Sequence, residues 1–300
     1  MTLVELIASS ADALDAAGVS FGHGTDNAYD EAAWLVLWQL GLPLDSDLDD
    51  ATVADAAVAP AALAQVQALV QRRIDSRVPA AYLTGEAWLQ GVPFHVDARC
   101  IVPRSLIGEL LSQGAIDYWL PQDAQRLLDL CTGGASLAVL AALRYPQLQV
   151  DAADISQDAL AVAALNVERH ALQQQIRLLQ GDGLAAADGR YDLILCNPPY
   201  VNSDSMAQLP PEYRAEPALA LAGGKDGMDF VRRLLQDAPA VMSEAAVLVL
   251  EIGHERAHFE SAFPTLDVVW LDTSAGHDQV CVVTRDALST LSRGGEPRTL

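Results

Sequence analysis

A chain of 300 residues with 51% apolar content can bury a substantial core, as one large domain or two ordinary ones, and is not intrinsically disordered. Its 40 acidic and 18 basic residues give a formal charge of −22, a surface that repels a phosphate backbone, so stable DNA binding is not expected. The same surface attracts basic partners, although solubility or adaptation to salt would also use the acid.

Cys100, Cys131, Cys196 and Cys281 are far apart and lack paired metal spacing, which predicts reduced thiols in a cytoplasmic protein. No basic segment followed by an apolar one opens the sequence, and no apolar run is long enough to span a bilayer. The aliphatic residues 240–252 are interrupted by Ser243 and Glu244. Neither a membrane nor a metal is expected, and self-association is left open.

Apolar residues recur at helical spacing over 3–17, with Gly18 as a stop. FGHGTDN at 21–27 is a polar, glycine-rich loop whose spacing and lack of a preceding strand exclude a phosphate loop. A second helix is predicted over 29–40, with Trp34 and Trp38 filling a core or a domain interface. Residues 44–58 are acidic and read as a connection with a short helical turn. Pro60 then opens a helix carrying Leu63, Val66, Leu69, Val70 and Ile74 on one face. Arg72, Arg73 and Arg77 at its close read as a solvated helix end. A helix end and a short antiparallel hairpin follow Pro79, with Trp88 and Phe94 expected in interface packing and not in base stacking. Residues 99–104 are extended and a fresh helix begins at Ser105. The boundaries are therefore a helical unit over 1–86, a connecting hairpin over 87–104 and a second domain over 105–300.

That second domain opens with a short apolar strand over 126–130, the glycine turn CTGGA and an Ala/Leu helix, the start of an α/β nucleotide site. Gly133 and Gly134 let the backbone approach a ligand closely. A second strand over 149–153 delivers Asp154, whose carboxylate can accept both ribose hydroxyl hydrogens. A third, over 176–179, is followed by Asp182, placed to reach an adenine edge or to cap a turn. The fourth, over 191–196, delivers Asn197, Pro198, Pro199 and Tyr200. Two prolines without N–H groups stiffen a carboxamide just beyond a strand end, where open parallel sheets hold their ligands.

The absence of a GxGxxG series and of a phosphate-loop lysine argues against a dinucleotide. S-adenosylmethionine fits better, because it needs adenosine recognition without a phosphate cage, with Asp129 near its amino acid portion and Asp154 at its ribose. The acceptor this implies is a primary amide. The Asn197 side-chain oxygen and the Pro198 carbonyl can accept its two N–H groups and aim its nitrogen, while Tyr200 packs on its plane. In-line transfer then follows from proximity, with no base assigned. The candidate catalytic residues are Asn197, Pro198 and Tyr200; the candidate cofactor residues are Asp129, Thr132, Gly133, Gly134, Asp154, Ile155, Asp182 and Asn197. A helix over 230–235, a strand over 247–252 and an antiparallel pair over 268–271 and 279–284 complete the expected domain. His23 is expected to hold its loop, and His254 and His258 lack both an HExxH motif and a third zinc ligand.

The sequence also resembles the Rossmann-like N5-glutamine methyltransferases that modify translation proteins. The resemblance is carried by FGHGTDNAYDEA at 21–32, VPAAYLTGEAW at 78–88, IVPRSLIGEL at 101–110, DLCTGG at 129–134, DISQDAL at 154–160, YDLILCNPPYV at 191–201 and MAQLPPEYRAEPALALAGGKDG at 206–227. NPPY alone is shared with adenine-N6 DNA methyltransferases. The GHGTDN segment, with PRSLIGE at 103–109 in place of the block usual in release-factor enzymes, places the resemblance nearest the branch acting on large-ribosomal-subunit protein three. It implies a Rossmann-like S-adenosylmethionine-dependent domain behind a smaller helical substrate-recognition domain, and a basic ribosomal protein as partner. It also implies that the segment with Glu212, Tyr213, Arg214 and Glu216 covers or shapes the glutamine site, where the residues themselves also read as a surface loop with local ion pairs. The alternatives are a release-factor glutamine methyltransferase and a non-catalytic ribosome-assembly binder. One departure stands out: the family usually has a glycine where this chain has Ala135; with Gly134 adjacent to relieve the turn and only a methyl added, cofactor binding is expected to be retained, at most weakened.

Overall fold

The computed structural model describes residues 1–293. Its first part is helical: α1 (Leu3–Ala16), α2 (Ala28–Leu40), α3 (Ala51–Ala54), α4 (Pro60–Ser76) and α5 (Ala80–Thr84). The helix boundaries have local causes. Thr2 and Glu5 form a reciprocal capping box on α1, the Thr2 N–H donating to Glu5 at 2.8 Å and the Glu5 N–H to the Thr2 hydroxyl at 3.3 Å. Asn27 caps α2, Gly41 closes it in the left-handed conformation, and Pro60 occupies the first turn of α4. Leu3, Ile7, Leu35, Val66 and Val70 share one apolar cluster. Trp34 is buried there, but Trp38 is 37% exposed, so only the first tryptophan packs as expected.

The antiparallel hairpin β1 (Glu86–Leu89) and β2 (Val92–His95) turns through Gln90 and Gly91, both at positive φ, as a two-residue hairpin loop requires. Strand alternation directs Ala87 and Leu89 inward and Trp88 outward. Trp88 is 43% exposed, with its indole N–H donating to Glu86, which corrects the expectation of interface packing; Phe94 is fully buried, as expected.

The second part runs α6 (Leu106–Gln113), β3 (Arg126–Leu130), α7 (Ser136–Arg144), β4 (Gln149–Asp154), α8 (Gln157–Arg169), β5 (Ile176–Gln180), β6 (Tyr191–Cys196), α9 (Ser203–Gln208), α10 (Asp229–Val241), β7 (Met242–Glu251), α11 (Arg256–Ala262), β8 (Val269–Thr273), β9 (Gly276–Thr284) and α12 (Arg285–Arg293). The sheet order is β5-β4-β3-β6-β7-β9-β8. The first five strands are parallel, and β9 lies antiparallel between β7 and β8. This is the expected Rossmann-like sheet.

Leu127, Leu193, Val247 and Val282 face α6, α7 and α8; their chain neighbours Leu128, Ile194, Leu248 and Val283 face α10, α11 and α12. Burial on both faces explains why these strands read as continuous apolar runs. After β5 the chain returns across β3 to lay β6 on its other side. That reversal opens a crevice beyond the strand ends.

Candidate active site

The crevice holds a cavity of about 320 Å³, within the range of small-molecule sites. Five candidates from the sequence meet on its wall: Gly133, Asp154, Ile155, Asp182 and Asn197. Asp154 accepts the Gly133 N–H at 2.9 Å on one carboxylate oxygen and the Ser156 N–H at 2.8 Å on the other. The carboxylate is thus fixed, and each oxygen keeps a lone pair for a ligand hydroxyl. A Cβ built on Gly133 would meet no atom within 4 Å, so this glycine borders open space. Ile155 is 47% exposed and Phe230 lines the same cavity, giving a planar ligand two apolar contacts. Asp182 is ion-paired with Arg233 at 3.0 Å, and Arg233 also lines the wall.

Asp129, Thr132 and Gly134 stand behind that wall. One oxygen of the buried Asp129 accepts the Thr132 hydroxyl and the Ala138 N–H; the other has no partner among the described residues. Burial pushes this carboxyl up to about 7. The Gly134 carbonyl accepts the Asn166 side-chain N–H at 2.8 Å, and Asn166 also bonds both backbone groups of His95, so one buried amide ties the glycine turn to the hairpin. Ala135 lies in the left-handed region at φ 64°, and its methyl is packed in the core, off the cavity wall. The cost of departing from glycine falls on the backbone, not on access to the cavity.

Among the described residues nothing hydrogen-bonds the carboxamide of Asn197. Pro198 and Tyr200 lie beside the cavity and not on its wall. The backbone of Tyr200 passes between Gly223 and Gly227, at either of which a Cβ would collide with it, and the ring lies over Gly253 with the same consequence. The Val201 N–H donates to the Leu221 carbonyl and the Gly223 N–H to the Val201 carbonyl, both at 2.9 Å. Close backbone approach explains Gly223 and Gly227, and the ring's position explains Gly253.

The flank beyond this turn is built from charges whose pairing the sequence did not reveal. Glu212 is fully buried and accepts the Ser20 N–H at 3.1 Å, with Arg73 at 3.4 Å and Arg77 at 3.2 Å. Arg73 is itself fully buried, donating to Glu31 at 2.8 Å and to the Ser20 carbonyl at 2.9 Å. Arg77 donates to the carbonyls of Ala17 and Gly18, each at 2.6 Å. A solvated helix end is therefore wrong for Arg73 and Arg77 and holds only for exposed Arg72.

Glu216 takes Arg104 in a bidentate pair at 2.6 and 2.8 Å, accepts the Val102 N–H at 3.0 Å, and has His23 at 3.4 Å. Burial raises the carboxyl of Glu216, but His23 and Arg104 outweigh it and hold it at about 2. His23 also packs on Tyr213 at 4.4 Å between ring centres, which gives it the loop-holding role expected. The pairs of Glu212 and Glu216 join segments more than a hundred residues apart, so the reading as a surface loop with local ion pairs does not hold. The same segment continues into Pro217, Leu219 and Ala220 on the cavity wall.

The methyltransferase small domain family matches residues 116–209, from just before β3 to just after the Asn197–Tyr200 turn. Among solved structures, the hMettl16 catalytic domain is similar at 13% identity, over 75% of this chain and 81% of its own, with a TM-score of 0.49. Curated relatives align far more fully. The ribosomal protein uL3 glutamine methyltransferase of Bordetella pertussis is 56% identical over 96% of this chain and 97% of its own. Its namesake in Burkholderia pseudomallei is 48% identical over 97% of both chains, and that of Neisseria meningitidis serogroup B is 45% identical over 96% of this chain and 94% of its own. With near end-to-end alignment at these identities, the chain belongs to the ribosomal protein uL3 glutamine methyltransferase family.

Proposed function

We propose that this chain, acting in the cytoplasm, methylates the side-chain N5 of a glutamine in ribosomal protein uL3, with S-adenosylmethionine as donor. The observation that carries the reading is the unpartnered carboxamide of Asn197, held by a stiff turn on the wall of a cavity that also presents Asp154. When bound, S-adenosylmethionine supplies an electrophilic methyl on a positively charged sulfur. The site fits its adenosine: Asp154 has acceptors free for the ribose hydroxyls, Asp182 on the same wall would serve the adenine edge, and Ile155 and Phe230 offer apolar contact. Asp129, with Thr132 and the Gly133–Gly134 backbone, serves the amino acid portion.

A neutral amide is a poor nucleophile because its nitrogen lone pair is delocalised. Asn197 through its oxygen and Pro198 through its carbonyl accept the two amide N–H groups, an interaction that strengthens as positive charge develops on nitrogen. Tyr200 limits the amide to one plane, so orientation contributes much of the acceleration. Residues 1–86 serve as the recognition unit, 87–104 as the connecting hairpin and 105–300 as the methyltransferase domain. The acidic surface suits a basic ribosomal protein.

The test is transfer of labelled methyl to purified uL3, release factor and DNA in parallel, with the modified peptide located by mass. Label on a uL3 glutamine is expected; label on release factor alone would overturn the assignment. Asn197→Ala should reduce turnover by about a hundredfold or more, as loss of a transition-state hydrogen bond does, while donor affinity stays within about twofold.

A further inference from the structure

A carboxylate at the end of a central strand is costly to bury, and in β7 it follows the wholly apolar, buried run Ala246–Leu250. Glu251 is nevertheless 4% exposed. The strand register sets Cys196 opposite Leu250, which brings Glu251 level with Asn197. One oxygen of Glu251 accepts the Ser105 hydroxyl at 2.5 Å and the Leu106 N–H at 2.9 Å, at the first turn of α6; the other faces the Tyr200 hydroxyl at 3.4 Å. Burial raises the carboxyl of Glu251, opposed by these hydrogen bonds.

Tyr200 is mounted by shape almost everywhere else. Gly223 and Gly227 bracket its backbone and Gly253 leaves room for its ring. Its hydroxyl contact with Glu251 is the one directional bond that fixes the ring's orientation among the described residues.

We infer that Glu251 is a positioning residue for methyl transfer, joining the Tyr200 hydroxyl to the N-terminus of α6 and so holding the aromatic side of the acceptor turn in one place relative to Asn197. The inference rests on the reading of Asn197–Tyr200 as the acceptor clamp. A carboxylate suits this place because it accepts from two sides at once, binding helix N–H and tyrosine O–H together. An apolar residue would pack in the strand but leave Tyr200 free to turn.

The experiment is a double-mutant cycle in the full chain, with a glutamine peptide of uL3 and labelled S-adenosylmethionine. Glu251→Ala should lower kcat about tenfold or more while donor Kd stays within about twofold, and Glu251→Gln, which keeps an acceptor for α6 and a polar partner for the hydroxyl, should restore kcat to within about threefold of wild type. In a Tyr200→Phe background the effect of Glu251→Ala should shrink to less than about threefold, because the group it acts through is gone. An undiminished effect in that background overturns the inference. So does Ser105→Ala reproducing the kcat loss, since the carboxylate would then act only as a helix cap.

A readout without turnover covers a Glu251→Ala chain that does not fold and separates this inference from the proposed function. In tyrosine-labelled protein the Tyr200 ring carbon bearing the hydroxyl should shift in Glu251→Gln and stay in place in Ser105→Ala. An unmoved signal in Glu251→Gln overturns the link to Tyr200. A moved signal in a chain inactive on every glutamine peptide supports the link and defeats the proposed function alone.

Discussion

The two sides of the crevice are built on opposite principles. On the donor side, Asp154 is fixed by two backbone N–H groups yet keeps lone pairs to offer, the Asn197 carboxamide has no hydrogen-bond partner among the described residues, and Gly133 borders open space. On the acceptor flank, Glu212, Glu216, Arg73 and Arg104 spend their hydrogen bonds on one another and on nearby backbone. The first side is incomplete until a ligand arrives; the second ties distant segments together and supplies shape, with only Glu212 Oε2 and the His23 ring nitrogens lacking a hydrogen bond there among the described residues. A buried pair is a poor source of net stability but a costly thing to break, so the flank makes the geometry hard to change.

The largest effect should therefore come from cutting that network at its most buried point. Arg73→Ala removes the cationic partner of Glu31 and one of those of Glu212, leaving buried carboxylates short of charge. A loss of about 3–5 kcal/mol is expected in denaturant unfolding, against less than about 0.5 kcal/mol for the exposed Arg72→Ala. Equal effects would mean that the flank is no more than a solvated surface.

Asp154→Ala tests the other side and should show the reverse pattern. Two ligand hydrogen bonds to a charged group are lost, each contributing about 1.5 kcal/mol or more, so donor affinity in an equilibrium titration should fall at least tenfold. Unfolding should change much less than in Arg73→Ala, because the Gly133 and Ser156 N–H groups sit at a rim that solvent reaches. Unchanged donor affinity would remove Asp154 from the ribose position.

The same contrast explains what the sequence disclosed. The donor side is assembled from successive strand ends, each announced by an apolar run and a polar residue just after it, and Asp154, Asp182 and Asn197 meet as that pattern implies. Gly223 and Gly227 lie in one of the blocks that carry the resemblance and Gly253 lies outside them all, and their shared purpose, room for Tyr200, needs the three-dimensional packing. The flank gave no local signal. Arg73 sits in the last turn of a helix, where a basic residue usually faces solvent, and its partners lie 42 and 139 residues away. Phe230 and Arg233 reach the cavity from a helix on the far side of the acceptor loop. Trp88 failed for a different reason: strand alternation fixes which face a residue takes, and four-residue strands leave the choice of face undetermined by pattern alone.

The two sides should also part company with pH. Glu216, held at about 2, is a carboxylate with a depressed folded value, so its contribution is complete above the ordinary glutamate range and is lost as pH falls from about 4.5 toward about 2. Asp129, raised to about 7, has the opposite sign: its contribution is complete below about 4 and is lost as pH rises through about 7. Asp129→Asn should therefore gain in stability relative to wild type between pH 5 and 8, by roughly 2–3 kcal/mol, whereas Glu216→Gln should lose its disadvantage only in acid. A difference between wild type and Asp129→Asn that does not vary over pH 5–8 would show that Asp129 is ionised throughout.

The smallest effect is expected where sequence comparison with the family suggested a defect. Ala135→Gly relieves a left-handed alanine, a gain of about 1–2 kcal/mol. Against this, glycine adds about 0.4–1 kcal/mol of unfolded-state freedom and deletes a buried methyl of about 0.8 kcal/mol. The contributions nearly cancel, so unfolding should stay within about 1 kcal/mol of wild type. Because the methyl points into the core and not at the cavity wall, donor affinity should also stay within about twofold. A tenfold gain in affinity for Ala135→Gly would instead place the methyl's influence at the ligand, through the path of the Thr132–Gly134 backbone, and would make this loop part of the incomplete side of the crevice.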